Sequence, residues 1–361
     1  MHEEINLSQF LQNKTCVFPF NENHKFFFII LFLLMLANCV RVEPVREYSW
    51  NQEDGYRWAE LDVESSSQTG LEKISSSLTG ITFRNDLTDD RMGENRILMN
   101  GSGVAAGDIN GDGHIDLYFT RIDGPNRLYL NLGGFQFRDV TEESGATHEG
   151  HPSSGAVFAD VNGDTHLDLL ITSVNTVNSL YLNDGTGTFT YSKNSGLGTA
   201  QGSMTMALAD VNDDGFLDLY ITNYRENNVL DVFDTQDLTW ENTIADGRLI
   251  PPYDDYFTIL NRGDGQLPER HEIGRKDELY LNNGDGTFKK IENLKDRFLA
   301  SDGTPLGLFP DWGLSAKFQD LDGNRLPDLY VNNDFWTPDS CLLYTSPSPR
   351  DLSTSRMPSS A

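Results

Sequence analysis

Cysteine is scarce: three in 361 residues, at Cys16, Cys39 and Cys341, and none from 40 to 340. No disulfide framework can staple the long central part of this chain, so rigidity beyond a hydrophobic core has to come from another source. Positive charge is scarce as well, with 27 Lys and Arg against 55 Asp and Glu and a formal net charge of −28. That balance excludes nucleic acid and anionic membrane surfaces as partners held by electrostatics, and it favours a protein that holds divalent cations. The seven histidines form no pattern, and there is no Gly-x-Ser-x-Gly, no phosphate-binding glycine loop and no His-Glu-x-x-His. Aromatics, in contrast, make up 11% and recur in short runs, which excludes a disordered acidic chain.

Long apolar runs are also missing. Phe26 to Ala37 follows His24 and Lys25 and is twelve residues long, too short to span a bilayer but suited to the core of a signal peptide. Leu36-Ala37-Asn38-Cys39 at its end resembles the lipobox of bacterial lipoproteins, which implies lipidation of Cys39 and, since Val40 is not aspartate, placement at the outer membrane or cell surface. A secreted protein is the alternative. Residues 1–39 are therefore expected to be a signal peptide, with 1–20 an upstream stretch from a misassigned start. Residues 40–70, polar and including Ser65-Ser66-Ser67-Gln68, are expected to be a flexible tether. At the other end, Cys341-Leu342-Leu343-Tyr344-Thr345-Ser346-Pro347-Ser348-Pro349-Arg350-Asp351 resembles the in-frame translation of a sequencing-library adapter. Residues 341–361 are accordingly expected to lie outside the fold, and the natural protein to continue beyond Ser340.

What the chain does contain is one short loop written four times. Asp108, Asn110, Asp112 and Asp116 place oxygen side chains at loop positions 1, 3, 5 and 9, with a glycine at 6 and the carbonyl of His114 at 7. The copies are Asp160, Asn162, Asp164, His166 and Asp168; Asp210, Asn212, Asp214, Phe216 and Asp218; and Asp320, Asp322, Asn324, Leu326 and Asp328. Calcium takes about six to eight oxygens at about 2.3–2.6 Å, and this spacing can fold such a set around one point. Position 12 of the first copy is Phe119, not the bidentate acid of an EF-hand, and Leu117-Tyr118-Phe119-Thr120 reads as a strand. A solvated acidic turn is the bland alternative, but two carboxylates 4 Å apart repel by about 1 kcal/mol in water and about 4 at an effective dielectric of 20. Thr165 and Arg325 replace the position-6 glycine, so strain and weaker binding are expected in those two loops.

The loops are spaced by 52, 50 and 110 residues. Between them recurs a hairpin, Leu128-Tyr129-Leu130-Asn131 to Phe137, Leu180-Tyr181-Leu182-Asn183 to Phe189, and Leu279-Tyr280-Leu281-Asn282 to Phe288, closed by Gly-rich turns. Each period thus holds a small-residue strand such as Gly103-Val104-Ala105-Ala106-Gly107, the acidic loop, an aromatic strand and the hairpin. Four short strands per roughly 50 residues spell a propeller blade. An all-β, partial β-propeller of about four blades is expected over 71–340, with Ile81-Thr82-Phe83 as a first strand. Only one hairpin lies between Asp210 and Asp320, so the long third interval reads as one period interrupted by an insertion over 225–276.

These loops and hairpins together resemble the FG-GAP or VCBS repeats of the cartilage acidic protein family, whose members often carry a C-terminal ASPIC/UnbV domain that is not visible here. The loops are similar to those of integrin α propellers. The resemblance implies calcium-stabilised blades and extracellular binding or adhesion, with a glycan, matrix component or surface protein as partner and the membrane reached only through the lipid anchor. It implies no catalytic centre. The alternative is a calcium-dependent, lyase-like polysaccharide enzyme on a propeller scaffold, for which His271 in the insertion is the histidine to consider as base. The insertion, with Trp240, Pro251-Pro252-Tyr253 and Tyr256-Phe257, is either a binding loop or a lid packed on its neighbours. Its Arg262-Gly263-Asp264 matches the integrin-recognition tripeptide but reads better as a turn.

Overall fold

The computed structural model describes residues 49, 51–53, 56–58, 73–198, 201–260, 267–292, 298–299, 310–321, 323–334 and 339–344. Cys39, Asp322 and Arg262-Gly263-Asp264 lie outside them, as does the apolar run 26–37. The chain divides into two units, 1–72 and 73–361. Within the first, the stretch expected as a flexible tether contains a two-stranded antiparallel hairpin, Asn51–Glu53 with Tyr56–Trp58.

The second unit is built of four four-stranded antiparallel sheets, each a propeller blade. The first consists of Val104–Gly107, Asp116–Phe119, Arg127–Asn131 and Phe137–Asp139, paired in chain order. The second repeats this order with Ser153–Ala159, Asp168–Ser173, Ser179–Asn183 and Phe189–Tyr191. In the third, Ser203–Ala209 and Asp218–Asn223 are followed by the insertion, and the sheet resumes with Glu278–Asn282 and Phe288–Lys290. The long interval is therefore one interrupted period, as the single hairpin implied.

The first strand of each blade packs on the first strand of the next. Small residues there are a steric requirement. A Cβ on Gly155 would sit 2.6 Å from the Met204 carbonyl oxygen, and one on Gly103 3.0 Å from Gly155 Cα, both below ordinary contact. The cores lie between blades. Ala105, Tyr118 and Leu128 meet Leu169 and Ile171; Leu170 and Leu180 meet Leu219, Ile221 and Tyr280; Tyr220 and Leu279 meet Leu329, Val331 and Leu342. Successive residues of one strand thus serve opposite cores, because side chains alternate across a sheet and both faces are covered. Truncating a side chain such as Leu170 to alanine would cost about 2 to 5 kcal/mol.

Two expectations need correction. Residues 81–83 are not a strand; Gly80 lies against the Phe137 carbonyl and Phe83 stacks on Phe119 at 4.9 Å, so the segment covers the first blade instead of joining its ladder. The fourth blade, Gly313–Gln319 and Asp328–Asn333, takes as its third strand Ser340–Tyr344, whose last four residues were expected outside the fold. The reason is apolar burial: Leu342 pairs in register with Leu329 and is 2% exposed. Its outer strand, Phe298–Leu299, precedes the inner one in the chain, unlike the other three blades.

Candidate metal-binding loops

Each acidic loop joins the first and second strands of its blade, so all four emerge at one end, in the first three blades beside the hairpin that joins the third and fourth strands. Position 1 organises the turn. Asp108 Oδ1 accepts the N–H groups of Gly111 and Asp112 at 2.8 and 3.1 Å, and Oδ2 accepts that of Gly113 at 2.8 Å. Asp160 accepts from Gly163 and Thr165, Asp210 from Asp214 and Gly215, and Asp320 from Gly323 and Arg325 in the same way. At position 5, Asp112, Asp164, Asp214 and Asn324 each accept the N–H of position 7, namely His114, His166, Phe216 and Leu326. That bond holds the Asp112 carboxyl below the usual range. Asn110, Asn162 and Asn212 donate from Nδ2 to the position-5 carboxylate.

Position 9 has a different job. Asp116, Asp168, Asp218 and Asp328 are completely buried. Asp168 Oδ2 accepts from Val161 within the loop and Oδ1 accepts from Asn183, the last residue of the third strand, at 2.9 Å. Asp116 makes the same pair of bonds with Ile109 and Asn131, and Asp218 with Val211 and Asn282. Burial raises all three of these carboxyls, Asp168 and Asp218 to about 6. The loop is thereby riveted to the hairpin of its own blade.

The donor chemistry is that of a hard-cation site: carboxylate, amide and main-chain oxygens without nitrogen or sulfur. Each carboxylate oxygen that accepts one N–H keeps a lone pair for a cation. Among the described residues, however, no three His, Cys, Asp or Glu side chains converge on one point. The loops are shaped by their own amides, and the fit to calcium is one of donor set and spacing, not of a preformed cage.

Backbone strain is distributed differently from the sequence expectation. Thr165 and Arg325 at position 6 do adopt positive φ, 74° and 72°. Position 4 demands the same, occupied by Gly111, Gly163 and Gly323 but by Asp213 at 57° in the third loop. The third loop therefore carries strain too, and the first alone has glycine at both positions. The side chains at position 7 pack on the hairpins. His166 and Phe216 lie over the hairpin glycines Gly185 and Gly284, where a Cβ would stand 2.5 and 2.6 Å from the ring, and His114 covers Gly133 at 3.4 Å.

Sequence reasoning also missed the asparagine that ends the third strand of each of the first three blades. Asn183 Nδ2 donates to the Ile109 carbonyl of the preceding blade's loop at 2.8 Å, and Asn282 Nδ2 to that of Val161 at 2.9 Å. A second unnoticed repeat is Thr79-Gly80-Ile81, Ser144-Gly145-Ala146 and Ser195-Gly196-Leu197. Its glycines abut the carbonyls of Phe137, Phe189 and Phe288, and its spacing was a legible signal. Residues 108–171 and 160–221 each match the family model of the FG-GAP-like repeat.

Residues 108–221 carry FG-GAP-like repeats. Over 79 residues the chain is 32% identical to mouse cartilage acidic protein 1 and 30% identical to the human protein. These stretches cover 21% of this chain, which spans about 12% of the length of those curated relatives. Among solved structures it is similar to the V. cholerae biofilm matrix protein Bap1, at 20% identity and a TM-score of 0.27, over 63% of this chain and 34% of that one.

The insertion leaves the FG-GAP-like blades at the end opposite the loops, since it joins second and third strands. It is anchored by Arg225, 2% exposed, whose guanidinium stacks 3.9 Å over Tyr256 and donates to the carbonyls of Asp255 and Ile273. Arg96 pairs with Asp231 at 2.8 Å and ties it to the segment before the first blade. His271 is 14% exposed in this insertion, its Nε2 3.0 Å from Glu269, and the fold does not bring it to the loops.

Proposed function

We propose that this protein is an exported, calcium-binding β-propeller that works by adhesion, presenting a surface to an extracellular glycan, matrix component or surface protein. The observation that carries the reading is the repetition of one oxygen-donor loop at the same end of four consecutive blades, with its position-9 aspartate buried in all four and bonded to the hairpin in the first three. Asp108, Asn110, Asp112, the His114 carbonyl and Asp116, with their counterparts, would hold the ions. Bound calcium supplies the positive charge that lets clustered carboxylates stay close.

The FG-GAP-like repeats over 108–221 support this reading. So does the absence of cysteine from 40 to 340, which leaves metal as the available cross-link. The insertion, with Trp240 39%, Leu230 48% and Val232 45% exposed, offers the ligand-facing surface. Cys39 is the proposed lipid anchor. The protein is read as a binder without a catalytic step.

Each site at 100 times its dissociation constant adds about 2.7 kcal/mol, so four could supply on the order of 10, as much as a whole domain usually has. The test compares melting temperature in excess calcium and in excess EDTA. A rise in calcium is expected, and identical melting in both buffers would sink the calcium reading. Trp240→Ala should then weaken retention on immobilised extracellular glycan or matrix while leaving the calcium-dependent melting intact; unchanged retention would remove the insertion from the binding surface.

A further inference from the structure

The seams between blades share one device at the end away from the loops. In the first seam, Asn126 accepts the Arg121 N–H at 2.7 Å and donates from Nδ2 to Tyr118 Oη at 2.9 Å and to Ser153 Oγ of the next blade at 3.0 Å. In the second, Asn178 accepts the Ser173 N–H and donates to Ser203 Oγ at 3.1 Å. A neutral amide thus meets a hydroxyl across each seam, and every polar atom of the pair has a partner of the right sign.

The third seam breaks the pattern at both positions. Asp277 stands where the asparagine was, accepting the Asn223 N–H at 2.6 Å and the Tyr220 hydroxyl at 2.7 Å. Opposite it, in the register of Ser153 and Ser203, is Gly313, where a Cβ would lie 2.7 Å from Asp277 Oδ1. The hydroxyl that accepts from the amide in the other seams is gone. Two residues before Gly313 a second carboxylate enters: Asp311, whose backbone pairs with that of Arg275, is 5% exposed; the Asn333 side chain bonds to its carboxyl, but its Oδ1 has no hydrogen-bond partner. Among the described residues no ion pair reaches Asp277 or Asp311; Arg225 and Arg275 are engaged with Asp255 and Glu226, and Lys290 with Glu278. Burial, and for Asp277 also the neighbouring Asp311 charge, push both carboxyls up, Asp311 to about 7. Two buried carboxylates without a counter-charge oppose folding strongly.

We propose that Asp277 and Asp311 hold a hard divalent cation in the seam between the third and fourth blades, a site separate from the four loops. Its charge matches that of the two carboxylates, and it takes the place of the amide–hydroxyl pair that asparagine and serine form in the other seams. Two protein carboxylates completed by main-chain oxygens and water are an ordinary coordination set for magnesium or calcium.

The experiment counts bound ions per chain by equilibrium dialysis with calcium and, separately, magnesium. Two variants are compared with the wild type: Asp311→Asn, and Asp277→Asn with Gly313→Ser, which restores the amide–hydroxyl pair of the other seams and so is designed to fold. Both are expected to bind one ion fewer and to melt above the wild type in EDTA, because the repulsion is gone. Asp112→Ala leaves this ion in place. Terbium luminescence excited through tryptophan should fall in Trp312→Phe, the residue beside Asp311. Unchanged ion counts in both variants overturn the site and assign the pair to a shared proton. Should the loops bind nothing, the wild type still binds this one ion, so the two readings fail separately.

Discussion

The side-chain amide of Asn183 and the main-chain carbonyl of Ile109 meet at 2.8 Å, although 74 residues separate them in the chain. The same asparagine donates its backbone N–H to Asp168 and accepts, at its side-chain oxygen, from Gly185 and Gly187. One residue thereby joins the second blade's acidic loop, its hairpin and the first blade's loop. Asn282 repeats the arrangement one blade on, whereas Asn131 in the first blade bonds only within its own blade.

Losing that amide should separate these cases. Asn183→Ala and Asn282→Ala each leave a buried carbonyl unpaired, a loss of about 1 to 3 kcal/mol, while the more exposed Asn131→Ala costs less. Urea denaturation of the three variants measures the difference. Equal losses would mean that the bonds across the seam contribute nothing of their own.

Loop strain makes a second set of outcomes. Thr165→Gly and Arg325→Gly should stabilise by about 1 kcal/mol, since a left-handed backbone costs a side-chain-bearing residue about 1 to 2 kcal/mol and glycine loses part of that gain in the unfolded chain. Asp213→Gly should yield less, because aspartate tolerates this region better than a β-branched residue does. By the same logic, Asp112→Ala should reduce the calcium-dependent rise in melting temperature most and Asp214→Ala next, with Asp164→Ala and Asn324→Ala least. Thermal melts in calcium rank them, and a ranking led by the second or fourth loop would refute the strain argument.

Close approach and backbone conformation can be told apart with two glycines. Gly155→Ala forces a methyl to within 2.6 Å of the next blade's Met204 carbonyl and should cost several kcal/mol, on the order of 3. Gly111→Ala meets nothing within 4 Å and is strained only by its φ of 74°, so about 1 kcal/mol is expected. Comparable losses in denaturant titrations would show that the inner strands are not packed as tightly as described.

Acid should act through His148, which sits in the left-handed region at φ 46° and is 3% exposed. Burial, with a smaller contribution from the neighbouring His151, lowers its pKa to about 4. It faces the His151 ring at 4.6 Å and Tyr181 Oη at 3.5 Å from Nδ1, with no carboxylate partner among its hydrogen bonds or ring contacts. Because the unfolded chain takes up this proton at about pH 6.5 and the folded one only near 4, stability falls as pH drops through that window, by on the order of 3 kcal/mol when complete. His148→Asn keeps a residue suited to the backbone and removes the titration. The difference in unfolding free energy between wild type and variant should shrink or reverse as pH falls from about 7.5 to about 4.5, and a difference independent of pH would refute the assignment.

Periodicity and residue type carried the local half of this protein. The four-strand blade, the in-register acidic loops, the interruption of the third blade and the strained Thr165 and Arg325 were all legible, because each depends on residues within about one blade of each other and on backbone rules that act locally. Position 4 escaped notice because three glycines hid its demand until Asp213 showed it. The tertiary structure decided what depends on neighbours distant in the chain: Asn183 reaching Ile109, Gly155 yielding to the Met204 carbonyl, Leu342 completing a blade that an apparent foreign tail was expected to leave, and Asp277 facing Gly313 where Asn126 and Asn178 face serines. A side chain at any of those positions reads the same in isolation. Only the packing of one blade on the next determines whether it is buried, what it touches and whether its charge has a partner.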